Sequence, residues 1–100
     1  LEAAACGLPV ICTSGGATDD FVTPDFARLI HSRRLVWRGE NGAEFLVLSP
    51  DKDHLVALMS STIQDHAWRM TARTSGPSHV AARFTWRHTI EKLMPVLLDA

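Results

Sequence analysis

Residues 1–13 read LEAAACGLPVICT, and this stretch decides the fold because it predicts a helix, the end of that helix and a buried strand. The alanine-rich segment Glu2–Ala5 has strong helix propensity and small side chains that allow close packing. Gly7 suits the left-handed residue that ends many helices, and Pro9 cannot continue one. Val10–Thr13 is rich in β-branched residues, which predicts a strand buried on both faces of a parallel sheet.

A glycine turn follows this strand. Ser14, Gly15 and Gly16 are predicted to form a flexible turn at its carboxyl end, which is the edge where open α/β sheets bind ligands. The spacing alone fits both an ordinary helix–strand unit with a tight turn and a ligand-binding edge.

Three segments of the chain resemble one enzyme family. The string EAAACGLPVI at residues 2–11, followed by Gly15-Gly16, resembles the donor-site segment of group 1 glycosyltransferases, a GT-B class that transfers sugars from nucleotide-sugar donors. FLVLSPD at residues 45–51 resembles the strand, turn and helix start of that family, and RFTW at residues 83–86 resembles its late aromatic motif. Residues 17–43 depart from the commonest pattern, which has a shorter connection there, so no functional residue is assigned to them.

The resemblance implies a role for Glu2. The family has two glutamates eight positions apart, and Glu2 occupies the place of the second, directly before the alanine-rich turn. That second glutamate binds the ribose hydroxyls of the nucleotide, whereas the first contacts the transferred sugar and would fall before Leu1. Gly15 and Gly16 are assigned to the turn of the donor cleft, and no residue is assigned a catalytic role.

The resemblance also implies an activity and an architecture. The parent enzyme is expected to transfer a hexose from a UDP- or GDP-linked donor to a hydroxyl of a glycan or lipid acceptor, with retention and without a cofactor or bound metal. The expected fold is α/β, a Rossmann-like parallel sheet that forms half of a GT-B fold, with C-terminal helices. Residues 1–100 would be the C-terminal part of the donor-binding domain, truncated at its N-terminal side. Without the N-terminal acceptor domain, the fragment alone is expected to be inactive.

Two other classes of function stay open at this point. One is a nucleotide-binding or structural Rossmann-like module that lacks turnover. The other is an interaction module built on the C-terminal helices, which requires a large exposed apolar stripe around Trp86 and Leu93.

The composition of the chain limits the kinds of partner that it can bind. The chain is 46% hydrophobic and 21% charged, with a net charge of -1, which is typical of a globular domain and gives no basic field for nucleic acid. Arg33, Arg34 and Arg38 form a local cluster that fits a solvated face or, alternatively, peripheral contact with anionic lipid or a phosphorylated acceptor. Cys6 and Cys12 are expected to be buried and reduced, which favours the cytoplasm. No apolar run approaches the roughly 20 residues that span a bilayer.

The middle of the chain has several turn signals. Residues 18–20 (TDD) are predicted to cap a short helix, with the alternative that one of the paired acids binds a sugar hydroxyl. Residues 23–25 (TPD) are predicted to cap a second helix, with an ordered loop as the alternative. Asn41-Gly42 favours a type I′ hairpin turn before residues 45–48. Whether residues 35–37 pair in that hairpin or on a separate edge stays open.

The last half is predicted to be helical. Ser49, Asp65 and Thr85 are the predicted N-caps, and the second helix is expected to end near Gly76-Pro77. Two apolar stripes are predicted to be buried. The stripe on the first helix consists of Leu55, Leu58, Met59 and Ile63. The stripe on the last helix consists of Trp86, Ile90, Leu93, Met94 and Leu97.

The five histidines are scattered, and none forms the i, i+4 pair around a glutamate that helical zinc sites use. No metal site is therefore expected. His54 and His66 are expected to be exposed on helices, whereas His79 and His88 are expected to face the helical layer.

Overall fold

A computed structural model describes residues 1–99. Within these residues, four helices and four strands follow one another, and a short 3₁₀ segment, Ala17–Asp20, lies between the first two strands. The elements are α1 Glu2–Ala5, β1 Val10–Thr13, β2 Ala27–Ile30, β3 Ser32–Arg38, β4 Glu44–Pro50, α2 Lys52–Gln64, α3 His66–Arg83 and α4 Trp86–Leu98. The predicted α/β class is confirmed, since a small parallel sheet is followed by C-terminal helices, an arrangement compatible with half of a Rossmann-like domain.

The opening segment folds largely as its sequence predicts. α1 ends at Cys6, and Gly7 adopts a positive φ of 81°. β1 then pairs in parallel with β2, with Val10 opposite Ala27 and Thr13 opposite Ile30. All four residues of β1 are only half-buried, so the prediction that both faces are buried was wrong. The described sheet has two strands, which leaves one edge of β1 without a pairing strand.

α1 packs closely against α3 through backbone contacts at two glycines. A Cβ atom added to Gly76 would lie 2.5 Å from the carbonyl oxygen of Ala4, and one added to Gly7 would lie 2.9 Å from that of Arg73. Pro77 has no N–H to donate to the Arg73 carbonyl four residues earlier, and Gly7 packs against this carbonyl. α3 nevertheless continues through both Gly76 and Pro77, so the prediction that a helix ends there was wrong.

The core is small and lies between α1, α3 and the parallel sheet. Phe26 is fully buried, and it packs in a cluster with Ala4, Ala27 and Ala72. The molecule is thin, with extents of 50 × 41 × 15 Å. Its radius of gyration is 17.2 Å, compared with about 13 Å for a compact domain of this length. Much apolar surface therefore stays in contact with solvent.

β3 and β4 form an antiparallel hairpin, which settles the pairing of residues 35–37: Leu35 lies opposite Val47 and Trp37 opposite Phe45. The turn differs from the predicted type I′. Gly42 has a φ of 79°, whereas Asn41 does not have the positive φ that type I′ requires. The Gly42 N–H donates to the Gly39 carbonyl at 3.0 Å, so residues 39–42 form a hydrogen-bonded turn. Gly42, the last residue of this turn, has the left-handed conformation.

Two of the three predicted helix caps are confirmed. Asp65 accepts a hydrogen bond from the Trp68 N–H at the start of α3. Thr85 forms a capping box with His88 at the start of α4. Ser49 is wrong as a cap because β4 continues through Pro50, and Asp51 caps α2 by accepting from the His54 N–H at 3.0 Å.

The segment between β1 and β2 is less helical than predicted. The 3₁₀ segment Ala17–Asp20 begins after Gly16, and its acids do not cap it. Asp19 instead reaches back, and its carboxylate accepts from the Gly15 N–H at 2.8 Å. Residues 23–26 form a turn in which the Phe26 N–H donates to the Thr23 carbonyl, so the second predicted helix was wrong and the ordered-loop alternative holds.

Both predicted apolar stripes are more exposed than expected. On α2, Leu55 and Leu58 are half-buried, while Met59 and Ile63 are exposed. On α4 every member of the stripe is exposed, from 43% for Met94 to 83% for Trp86. The expectation that the α4 stripe is core was therefore wrong, and the condition set for an interaction module is met.

The cysteines are free thiols, Cys6 being exposed and Cys12 half-buried, so the prediction of buried thiols was wrong for Cys6.

His66 is exposed as predicted. His79 is half-buried and packs against Phe26 and Phe84, with ring centroids 5.4 and 5.5 Å away, in agreement with its predicted position.

Candidate functional site

Glu2 lies at the mouth of a cleft between the start of α1, the end of α3 and the start of α4. Its side chain is 99% exposed. The cleft has a volume of about 450 Å³. Its lining residues are Leu1, Glu2, Ala5, Val80, Phe84, Thr85, Trp86 and Thr89.

The chemistry of this cleft combines one carboxylate with an aromatic wall. An ionised carboxylate accepts hydrogen bonds and therefore suits a ligand with neighbouring hydroxyl groups, such as a ribose. Phe84 is half-buried, whereas the Trp86 ring is mostly open to solvent. The Thr85 hydroxyl lies 2.7 Å from His88 Nδ1 within the capping box, which engages it in holding the helix start.

Gly15 and Gly16 lie in a second cleft, at the carboxyl end of β1. This cleft has a volume of about 380 Å³ and is also lined by Arg34 and the β4 residues Leu46, Val47 and Leu48. The two clefts share no lining residue, so the structure does not bring Glu2 and the glycines into one cavity. The Gly15 N–H is already engaged by Asp19, which stabilises the loop.

Arg34 is the cationic group of the second cleft, and sequence reasoning did not place it there. β3 is separated from the glycine turn by the connection that departs from the family pattern. Two long-range contacts bring the hairpin to this turn: Leu48 packs against Gly16, and the Ser32 hydroxyl donates to the Ser14 carbonyl at 2.7 Å. No local signal in the sequence encodes that packing.

A polar cluster around Arg28 joins β2 to the helices. The Arg28 guanidinium donates to Asp65 Oδ2 at 2.7 Å, to the Ser61 hydroxyl at 3.1 Å and to the Thr62 hydroxyl at 3.2 Å. It also lies 4.1 Å from the centre of the Trp68 ring, within cation–π distance. The Trp68 N–H and the Arg28 guanidinium lower the pKa of the Asp65 carboxyl. Since both terminal nitrogens of Arg28 donate to side chains within the fold, Arg28 is a structural residue.

His31 and His54 form a second contact between the sheet region and α2. Their rings stack with centroids 3.8 Å apart, and the His31 N–H donates to His54 Nδ1 at 2.8 Å. His54 is half-buried, so the prediction that it is exposed was wrong. Within residues 1–99, no group of three or more histidine, cysteine or acidic side chains has an arrangement that could hold a metal ion.

Comparison with curated proteins finds one distant relative. The chain is 29% identical over 97 residues to the GDP-mannose-dependent monoacylated α-(1-6)-phosphatidylinositol monomannoside mannosyltransferase of Corynebacterium glutamicum. The match covers 97% of this chain but about a fifth of the relative, 21% of its length. The similarity links the chain to a glycosyltransferase, although at a low level of identity.

The other two comparisons give no match. No protein-family model matches the chain, and no solved structure matches it significantly. In the part of the chain that the structure describes, no helix is both long enough and apolar enough to cross a membrane.

Proposed function

We propose that this chain is part of a glycosyltransferase that transfers a hexose from a nucleotide diphosphate sugar to an acceptor hydroxyl. The observation that carries the proposal is the similarity to a mannosyltransferase, which extends over 97 residues and so includes nearly every element of the fold. In this proposal the chain is the C-terminal part of a GT-B donor domain, and a retaining transfer requires an acceptor domain as well.

Glu2 is the residue that would hold the nucleotide. A carboxylate in a cleft can accept hydrogen bonds from the two ribose hydroxyls, and such charge-assisted bonds orient a donor without transferring a proton. Its exposure at the cleft mouth is compatible with this role, because no residue of the described fold covers it. Gly15 and Gly16 are proposed only as the turn that shapes the second cleft.

The name of the relative sharpens the choice of substrates. That protein is GDP-mannose-dependent and acts on a phosphatidylinositol monomannoside. We therefore propose a GDP-linked hexose as the donor and a glycolipid hydroxyl as the acceptor, with the donor site in the cytoplasm, where nucleotide sugars are made.

The proposal is tested by titrating the protein with GDP, UDP and ADP, using calorimetry, and by repeating the GDP titration with Glu2→Ala. A charge-assisted hydrogen bond contributes about 1.5–3 kcal/mol, so the variant should bind GDP about 10- to 100-fold more weakly. Glu91→Ala, an exposed glutamate on α4, is the matched control and should leave the affinity unchanged.

A deoxy ligand separates the ribose contact from a general charge effect. Wild-type protein should lose affinity for 2′-deoxy-GDP, and Glu2→Ala should then cause little further loss, because the hydroxyl that it contacts is already absent. Equal affinity of wild type and Glu2→Ala for GDP would remove the ribose assignment. No binding of any of the three nucleotides would contradict the proposed function itself.

An interaction module is the second candidate function, and the exposed stripe on α4 favours it. Trp86 is 83% exposed and Leu93 is 49% exposed, as a helix that docks on another protein surface requires. The same titration distinguishes the two candidates, since an interaction module without a nucleotide site would bind none of the three nucleotides.

A further inference from the structure

The hairpin of β3 and β4 exposes apolar side chains on both of its faces. Six residues make up this hairpin surface. One face carries Leu35 (45% exposed), Trp37 (59%), Phe45 (50%) and Val47 (40%). The other face carries Val36 (60%) and Leu46 (74%). A strand pair that covers a core normally has one apolar and one polar face. Here neither face is buried in the described fold.

Arginines lie on the same two strands. Arg38 pairs with Glu44 across the hairpin at 2.9 Å. Arg33 and Arg34, near the base, are exposed, and neither forms an ion pair with any residue in the range 1–99. On the face that carries Trp37, Arg33 is the one charged side chain of the two strands.

We propose that this hairpin docks on the surface of an anionic lipid bilayer. Tryptophan prefers the boundary between headgroups and acyl chains, where its ring is in an apolar layer and its N–H remains near water. Trp37 and Phe45 pack together with ring centroids 5.9 Å apart and would enter that layer as a pair. Arg33 and Arg34 supply the charge that complements lipid phosphates.

The two-sided character of the hairpin favours a lipid layer over a protein partner. A protein that covers the Trp37 face leaves Val36 and Leu46 in water on the other face, whereas a fluid headgroup layer can surround both. The hairpin would lie along the membrane plane, because its turn carries Glu40 and Asn41 and would be costly to insert deeply. This inference does not depend on nucleotide binding.

Vesicle co-sedimentation tests the proposal. The full chain should bind vesicles of phosphatidylcholine mixed with phosphatidylglycerol and should bind pure phosphatidylcholine vesicles much more weakly. Raising the salt from about 0.1 M to about 1 M shortens the Debye length from about 10 Å to about 3 Å and should release the protein. Removing both charges with Arg33→Gln and Arg34→Gln should lower the partition coefficient about 30-fold.

A matched pair of aromatic variants locates the contact. The double variant Trp37→Ala and Phe45→Ala should lose most of its binding to the mixed vesicles, whereas Trp86→Ala removes a more exposed tryptophan outside the hairpin and should bind like the wild type. Brominated lipids should quench the fluorescence of the wild type and of Trp86→Phe, and quenching should fall in Trp37→Phe. Circular dichroism of each variant checks that it is folded.

Three results would overturn the proposal. The first is equal binding to charged and uncharged vesicles, and the second is loss of binding in Trp86→Ala with retention in the Trp37 and Phe45 double variant. The third is a protein that binds no vesicles and forms a dimer in light scattering, where the dimer is lost when the hairpin surface is mutated. The surface would then join two copies of the chain. GDP affinity should be unchanged in the Trp37 and Phe45 double variant, whose residues line neither cleft, so the nucleotide proposal can fail or succeed separately.

Discussion

The Arg28 guanidinium donates to the Asp65 carboxylate at 2.7 Å, and this contact joins β2 to the junction between α2 and α3. Asp65 has two partners, because its other oxygen accepts from the Trp68 N–H and caps α3. The Trp68 indole in turn donates to the Pro24 carbonyl at 2.9 Å. A helix start, a strand and the preceding turn are therefore held by one group of contacts.

Replacing Asp65 with asparagine should lower the thermal unfolding midpoint, since the amide cannot pair with Arg28 as a charge. The cap and the arginine lower the carboxyl pKa from its ordinary value of 3.8, with the backbone hydrogen bond from Trp68 as the largest cause. A lowered folded-state pKa adds stability above the ordinary value, and this stability is lost as the pH falls through the folded-state pKa. The difference between wild type and Asp65→Asn should therefore be largest near neutral pH and should shrink below pH 3.8.

Thermal melts from neutral to strongly acidic pH measure this difference, with Asp25→Asn as the control. Asp25 is exposed in the turn before β2, so its replacement should leave the midpoint nearly unchanged at every pH. A stability difference between wild type and Asp65→Asn that stays constant down to the most acidic pH would contradict the assigned ion pair.

Gly76→Ala should destabilise the fold although alanine is the better helix former. The added Cβ would lie 2.5 Å from the Ala4 carbonyl oxygen, so α1 and α3 would have to move apart. Overpacking of this kind costs about 1–3 kcal/mol, which exceeds the gain of about 1 kcal/mol in helix propensity. Denaturant unfolding measures the change, and Ser78→Ala at an exposed site on α3 is the control. A Gly76→Ala variant more stable than the wild type would disprove the close approach.

Phe26→Ala should be the most damaging of the aromatic truncations. Phe26 is fully buried, and removing a buried phenylalanine side chain costs about 3–5 kcal/mol. Phe45→Ala makes the same chemical change on the half-exposed hairpin and should cost much less. Chemical denaturation of both variants would reveal an equal loss if the core were centred elsewhere.

Thr85→Ala should weaken the start of α4 by about 1 kcal/mol, because the Thr85 side chain accepts from the His88 N–H as an N-cap. Thr89→Ala, one turn later, is the matched control and should have a smaller effect. Helix content and unfolding free energy of the two variants give the comparison, and equal losses would argue against the cap.

Features fixed by neighbouring residues were predictable from the sequence. The end of α1 follows from Gly7 and Pro9, and the caps Asp65 and Thr85 act on backbone groups three residues away. The predicted end of a helix near Gly76-Pro77 failed because α3 continues through the proline, and the Arg73 carbonyl that Pro77 leaves without its N–H donor packs against Gly7, far away in the chain. Local propensity describes the cost of a proline, whereas tertiary packing decides whether the helix continues.

The candidate site was predictable only in part. Glu2 was singled out by its family resemblance, and the structure leaves it exposed in a cleft, whereas its ribose role stays a prediction. Arg34 lines the second cleft because β3 pairs with β4 and Leu48 meets Gly16. Asn41-Gly42 is a local signal for the hairpin, whereas the contact of Leu48 with Gly16 has none. The exposure of Trp86 could not be predicted either, because an apolar helix stripe has the same sequence pattern whether or not another surface covers it.

The two glycine contacts between α1 and α3 also constrain the order of folding. Gly7 meets Arg73 and Gly76 meets Ala4, so both contacts close a loop of about seventy residues, and such distant closures are slow because their entropy is lost before packing is gained. During synthesis α1 has no partner until α3 has been made, about seventy residues later. Residues 1–13 are thus made well before α3 and reach their native place only after it.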